Sequence, residues 1–156
     1  MHPNVMAVIE AGRRIGLEVV PKEFQESTRT AAEAAEAIGV EPAQIVKSLI
    51  FMIDDRPVIA LVSGDKRLDE AKLAAAAGGL RCRRPGADEV RSATGFPVGG
   101  VPPFGHAVAM PAFVEQTLLA HDVVWAAAGT PHVNFAIDPR RLAAAVKAVT
   151  ADLAAT

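Results

Sequence analysis

Two apolar runs separated by almost nothing constrain this chain more than any other feature. Residues 45–53 read Ile-Val-Lys-Ser-Leu-Ile-Phe-Met-Ile, residues 57–62 read Pro-Val-Ile-Ala-Leu-Val, and only Asp54-Asp55-Arg56 lies between them. Branched and aromatic runs of this length around a short polar turn specify a β-hairpin. The second run is apolar on both faces, so the sheet it enters must be covered on both sides.

The flanking sequence alternates helix and strand. Residues 3–16 predict an opening helix, with Val5, Val8, Ile9 and Ile15 near helical spacing. Residues 17–20 alternate as a short strand that stops at Pro21, and a polar stretch covers 22–29. Thr30 and Glu33 form a capping box for a helix over 31–38, which Gly39 ends. After the hairpin come a loop over 63–67, a helix capped by Asp69 and running to about residue 77, a short strand at 80–84 and a short helix at 87–93. Residues 94–105, TGFPVGGVPPFG, hold four glycines and three prolines and admit no regular element. Beyond them, 107–110 predicts a strand and 113–120 a helix. Strands at 123–128 and 133–137 flank a turn at 129–132. Asp138-Pro139 then opens a last helix striped by Leu142, Val146 and Val149. No linker, repeat or break in composition interrupts the chain, so residues 1–156 read as one α/β domain with a mixed sheet.

Composition removes several functions. With 16 basic and 18 acidic residues the net charge is −2, which argues against a duplex binder with a strongly basic face and leaves room for local phosphate contacts. Aromatics at 4% argue against a stacking platform for single strands. The single cysteine, Cys82, excludes an intramolecular disulfide, and no Cys/His cluster has zinc spacing, so a reducing, cytoplasmic setting is expected. No apolar run reaches about 18 residues, so no membrane span is expected. The start, Met1-His2-Pro3-Asn4, lacks the order of a signal peptide.

Three features can carry chemistry. Lys47 shares a strand face with Ile45, Leu49, Phe51 and Ile53. A lysine there snorkels, pairs with an acid, or serves a ligand; its pattern fits snorkelling best, and the sharper reading is a cation beside a pocket that polarises a carbonyl or binds an anion. Ser48 faces the other way and joins Lys47 only through its backbone or a bulge. The segment 99–105, GGVPPFG, is either a tight crossover or a loop aiming N–H groups at a ligand oxygen, and it lacks the ending of a P-loop. Gly129-Thr130-Pro131-His132-Val133-Asn134 is either a hairpin turn with a solvated histidine or the lining of a pocket. His2, His106 and His121 read as surface residues, and Asp54-Asp55 as a solvated turn. Cys82 reads as a bystander thiol, although its flanking arginines favour the thiolate. Arg13-Arg14, Lys66-Arg67 and Arg140-Arg141 read as solvated faces that hold phosphates only if they share one side. No serine nucleophile elbow, HExxH helix or carboxylate dyad is present.

In this order and at these intervals, the features resemble the YbaK/EbsC family of aminoacyl-tRNA deacylases, relatives of the insertion (editing) domain of bacterial prolyl-tRNA synthetase. The resemblance runs from residue 31 through Arg141. It rests on Ile45-Val46-Lys47-Ser48-Leu49, on Val62-Ser63-Gly64-Asp65-Lys66-Arg67-Leu68-Asp69, and on Thr94-Gly95-Phe96 through Gly99-Gly100, Pro103 and Gly105. Ala128-Gly129 and Ile137-Asp138-Pro139 complete it. The implied fold is α/β (α+β), one domain with a mixed, mostly antiparallel, curved or barrel-like sheet surrounded by helices. The implied activity is hydrolysis in trans of the ester joining a wrong amino acid to tRNA, with substrate hydroxyls assisting. The implied substrate is tRNA for proline carrying a small residue such as alanine. Ala127 and His132-Val133-Asn134 stand where the cysteine-clearing branch has a serine and a Gly-Leu-Asp-like segment, which points away from cysteine. The resemblance makes Lys47 catalytic and Ser48 and Asn134 substrate contacts. It has His132 line the amino-acid pocket, Gly129 and Thr130 shape it, and Gly99, Gly100, Pro103 and Gly105 cradle the terminal ribose. It implies no cofactor or metal, the aminoacyl-tRNA acceptor end and prolyl-tRNA synthetase as partners, and neither DNA nor membrane. Two rival readings stand beside it: a non-catalytic domain of the same fold that binds aminoacyl-tRNA or a nucleotide, and a hydrolase of another small ester or thioester.

Overall fold

The hairpin closes as its sequence requires. Asp54 and Asp55 both take positive φ, 48° and 63°, the pair of left-handed residues that a two-residue turn between twisted strands demands. In the computed structural model, which describes residues 1–156, this turn joins β2 (Val46–Ile53) to β3 (Arg56–Ser63) in unbroken register from Ile53–Arg56 to Val46–Ser63 (strands numbered in chain order, with β1 the short segment Lys22–Glu23). Both faces are buried. Val46, Ile50, Ile59 and Leu61 pack with Val5, Val8, Phe104, Phe135 and Leu142, while Phe51, Ile53, Val58, Ala60 and Val62 pack with Leu73, Ala74, Phe113 and Leu153.

The remaining elements supply those covers. Helices α1 (Pro3–Arg14), α2 (Ala31–Ile38), α3 (Glu70–Ala76), α4 (Ala87–Thr94) and α5 (Pro139–Ala145) surround two sheets. One has the order β4-β2-β3-β5-β8, with β4 at Cys82–Arg83, β5 at Ala112–Glu115 and β8 at Val149–Ala151. The other has the order β1-β7-β6, with β6 at Val124–Ala127 and β7 at Val133–Ile137. Only β3–β5 and β5–β8 are parallel. The sheets meet at a single bridge, Ile45–Trp125, and neither closes on itself. The result is a mixed α/β domain with curved, mostly antiparallel sheets, not a barrel. No helix is long and apolar enough to cross a membrane.

The helix caps follow the sequence. Thr30 and Glu33 satisfy each other's backbone N–H, and Asp69 and Asp138 accept from Lys72 and Arg140. Elsewhere tertiary pairing overrides local pattern. Residues 17–20 alternate, with Leu17 and Val19 buried, yet find no ladder, and the strand forms at Lys22–Glu23 beside β7. Residues 107–110 are not a strand, because Ala107 and Val108 donate back to Thr94 and Ala93. The segment 113–120 is not one helix. Its start completes the sheet beside β3, and only Gln116–Ala120 coils, as a 3₁₀ turn. Val149 leaves the last helix for β8 and is exposed.

Glu115 and Gly100 are two close-packed points of this fold. Glu115 is 1% exposed and accepts from the N–H of Thr117 (2.9 Å) and of Leu153 (2.7 Å), which ties the C-terminal segment to β5. Burial pushes its carboxyl pKa up, but these donors outweigh burial and hold it below the ordinary range. Its stabilisation is therefore complete above the unfolded carboxylate's pKa and lost as pH falls through the lower folded value. Glu115→Gln should cost about 1–3 kcal/mol at neutral pH, and urea titrations at falling pH should show the gap to wild type closing. Gly100 lies against the 129–130 backbone, where an added Cβ would stand 2.9 Å from the Gly129 carbonyl oxygen and 3.0 Å from Thr130 Cα. Gly100→Ala should lower the melting temperature by roughly 2–10 °C, as overpacking of about 1–3 kcal/mol would in a domain of this size.

Candidate active site

Beside the Ile45–Trp125 bridge lies a cavity of about 390 Å³. Residues Ile45 to Ile50 form one wall, Thr28 to Ala31 at the start of α2 a second, and Val90, Val98, Gly99, Val101 and Asn134 the rest. No carboxylate lines it, and its only charged residues are Arg29 and Lys47.

Lys47 sits half-buried, with its ammonium donating to the carbonyl of Lys66. Burial drives its pKa below the ordinary lysine value, with Asp65 pulling the other way. The 63–67 loop that meets it is held by the Gly64 N–H on the Ile45 carbonyl, at 2.8 Å. Only glycine fits there, since an added Cβ would stand 2.4 Å from the Pro42 carbonyl oxygen. Ser48 points to the opposite face, and its hydroxyl is buried without a partner, as is that of Ser63.

Across the cavity, Asn134 is 3% exposed and its Nδ2 donates to Thr28 Oγ1 at 2.7 Å, while that hydroxyl donates to the Pro131 carbonyl at 2.9 Å. Arg29 lies over Gly99, close enough that an added Cβ there would stand 2.6 Å from its Cγ, and it takes part in no ion pair.

The cavity thus gathers Lys47, Ser48, Gly99 and Asn134. The other expected site residues lie outside it. Gly100 backs onto Gly129 and Thr130, joining the two loops. Pro103 and Gly105 line a separate cleft with His106. Thr130 and His132 line another with His2 and Glu23, where the exposed His132 ring meets the Glu26 carbonyl at 3.1 Å. Sequence reasoning missed Thr28 and Arg29, which fell in a stretch read only as polar; their place just before the capping box was the available signal.

Several minor expectations change. His106 is not a free surface residue: its Nε2 lies 2.7 Å from the Pro102 carbonyl oxygen, and burial lowers its pKa against that contact. The Cys82 thiol is pushed up to about 11 by burial and then by Glu70, so the neighbouring arginines do not activate it. Arg83 is instead engaged by Glu89 and Asp55. Asp54 accepts from the N–H groups of Leu80 and Arg81, so it clamps β4's approach and is not merely solvated. Arg13, Arg14 and Arg140 are exposed as expected, while pairing with Glu10 and Asp138, and Lys66 pairs with Asp65.

Known proteins are similar to this chain in sequence and in fold. A solved structure described as that of a candidate trans-editing enzyme for prolyl-tRNA synthetase superposes with a TM-score of 0.93 at 42% identity, covering 100% of this chain and 99% of that one. The proline–tRNA ligase of Maridesulfovibrio salexigens is 41% identical over 76 residues, which is 49% of this chain and 13% of the ligase. EbsC of Enterococcus faecalis, named as a candidate Cys-tRNA(Pro)/Cys-tRNA(Cys) deacylase, is 24% identical over 89% of this chain and 85% of its own. The chain spans only a small part of the ligases it matches, 13% in this case and 20% for that of Desulforamulus reducens. Residues 25–145 match the aminoacyl-tRNA editing domain, and the chain belongs to that family, as an ester-bond hydrolase of the YbaK/EbsC kind.

Proposed function

We propose that the chain acts in trans on tRNA for proline carrying a small wrong amino acid, alanine foremost, and works in the cytoplasm downstream of prolyl-tRNA synthetase. The observation that carries this reading is the half-buried lysine, Lys47, on the wall of a largely apolar cavity that contains no carboxylate. In the reaction a water oxygen attacks the ester carbonyl carbon and the bond from that carbon to the ribose oxygen breaks. The bonding pair and a proton pass to the ribose oxygen, releasing free amino acid and uncharged tRNA. The carbonyl oxygen gathers charge in the transition state, and the Lys47 ammonium is the cation placed to stabilise it. Arg29, free of any acid partner and seated on Gly99, takes a phosphate of the acceptor end. Val98 and Val101, with the Thr28–Asn134 pair opposite, bound the side-chain space. Gly100, Gly129, Thr130 and His132 bear on the site through the contact between their loops.

Such a sieve has a clear motive. A synthetase pocket rejects a residue smaller by a methylene with only about 1–3 kcal/mol, so a second, separate site is needed.

Deacylation of alanyl-, seryl-, cysteinyl- and threonyl-tRNA for proline, beside matched tRNAs of other specificity, tests the proposal. Alanyl-tRNA for proline should be the best substrate, and Lys47→Ala should lower kcat by roughly 10²-fold or more with an unchanged melting temperature. Binding without turnover would favour a non-catalytic domain, and turnover indifferent to the tRNA would favour a general esterase. Because burial lowers the Lys47 pKa, the ammonium is lost at lower pH than a free lysine's. Activity, corrected for uncatalysed hydrolysis, should therefore fall on the alkaline side before ordinary lysines titrate, and Lys47→Arg should keep only the limb set by the substrate's own α-ammonium.

A further inference from the structure

The hydrogen-bond phase of the hairpin fixes which backbone groups face the cavity. In a two-residue turn the closing pair, here Ile53–Arg56, exchanges both of its bonds, and pairs along an antiparallel ladder alternate from there. Lys47, Leu49 and Phe51 therefore bond to β3, while Ser48, Ile50 and Met52 turn their N–H and C=O groups the other way. Two contacts outside the hairpin agree: Met52 pairs with Arg83 of β4 on that outer edge, and the Ile45 carbonyl accepts from Gly64 on the β3 side.

Between the Ile45–Trp125 bridge and the Met52–Arg83 pair, this outer edge of β2 has no strand partner. Val46, Ser48 and Ile50 are its outward residues, and all three line the cavity. Backbone groups turned into a cavity wall call for a partner, as buried N–H and C=O groups almost always have one. The gap is blocked by β6 at one end and β4 at the other.

Resting on the proposed deacylase reading, we infer that Ser48 binds the aminoacyl group as a neighbouring strand residue would. Its N–H donates to the ester carbonyl oxygen and its C=O accepts from the α-ammonium. This two-bond pairing is the one found between opposed residues of an antiparallel ladder. It also answers the absence of a carboxylate from the cavity wall, since the ammonium takes a strand carbonyl in its place. The side chain of the bound amino acid makes neither bond, so this contact anchors the group common to every aminoacyl ester and leaves selection to the surrounding walls. As the carbonyl oxygen becomes an oxyanion in the transition state, its bond to the Ser48 N–H strengthens.

The test replaces the Lys47–Ser48 amide by an ester, with the α-hydroxy counterpart of serine at position 48, which deletes the single N–H and keeps the side chain. With alanyl-tRNA for proline, kcat should fall by about 10²-fold while KM stays within about threefold and the circular dichroism spectrum is unchanged. Ser48→Pro removes the same N–H without costing a β2–β3 bond and should lose kcat likewise. An ester variant with kcat within about twofold of wild type overturns the inference. The carbonyl half is read with lactyl-tRNA for proline, in which a hydroxyl replaces the ammonium. Relative to the uncatalysed rates, kcat/KM should drop about tenfold, and equal relative turnover overturns that half. Wild type inactive on the whole panel would instead sink the deacylase reading itself.

Discussion

Burial of β2 and β3 on both faces is the constraint from which the rest of the molecule follows. A hairpin that is apolar above and below needs two covers, and the chain provides them on opposite sides. α1, α5 and the phenylalanines Phe104 and Phe135 lie over one face, and α3 with Leu153 over the other. The edges of the hairpin then meet different fates. The β3 edge gains β5 and, through it, β8, whereas β2 gains only the two residues of β4 and a single bridge to β6. The open interval of β2 lies in the wall of the cavity, so the site arises from incomplete pairing of an otherwise saturated sheet.

That origin explains the company Lys47 keeps. A lysine on a buried strand face loses hydration and must find an oxygen close by. The loop following β3 supplies one in the Lys66 carbonyl, and Gly64 lets the loop approach tightly enough to do so. The carbonyl partner leaves the ammonium charged and unneutralised, with only Asp65 offering distant compensation. A buried carboxylate partner would have cancelled that charge.

Sequence alone reached the parts governed by local rules. The hairpin turn, read as Asp54-Asp55-Arg56 and closed one residue shorter at Asp54-Asp55, the Thr30–Glu33 capping box and the Asp138-Pro139 helix start all follow from side chains acting on their own backbone. It failed where long-range pairing decides. β5 reads as the start of a helix because Phe113, Val114 and Leu118 suit either period, and only the vacant edge of β3 selects the strand. The site divides the same way. Lys47 stood out because a charge breaks an apolar face, and the glycine-rich loop because nothing regular runs through it. Thr28 and Arg29 carried no such anomaly, and that Pro103, Gly105, Thr130 and His132 sit in clefts apart from Lys47 depends on how two irregular loops fold against each other. No spacing rule encodes that.

The charge balance bears on how an editing site of this kind chooses its substrate. An apolar wall distinguishes side chains that differ by a methylene by only about 1–3 kcal/mol, and a backbone anchor for the ester and ammonium adds nothing to that difference. A chain with net charge −2 also has no overall positive charge with which to hold tRNA by its phosphates. Five of its eleven arginines, Arg13, Arg14, Arg83, Arg84 and Arg140, are already paired with acids. Under the proposed function, affinity must then come from a few contacts near the acceptor end, with Arg29 at the cavity mouth. Weak, salt-sensitive binding of that kind suits an enzyme that must release correctly charged tRNA as readily as it meets it. Discrimination then rests on the transition state, where an ester that fits the walls is held against the β2 edge and one that does not leaves unhydrolysed.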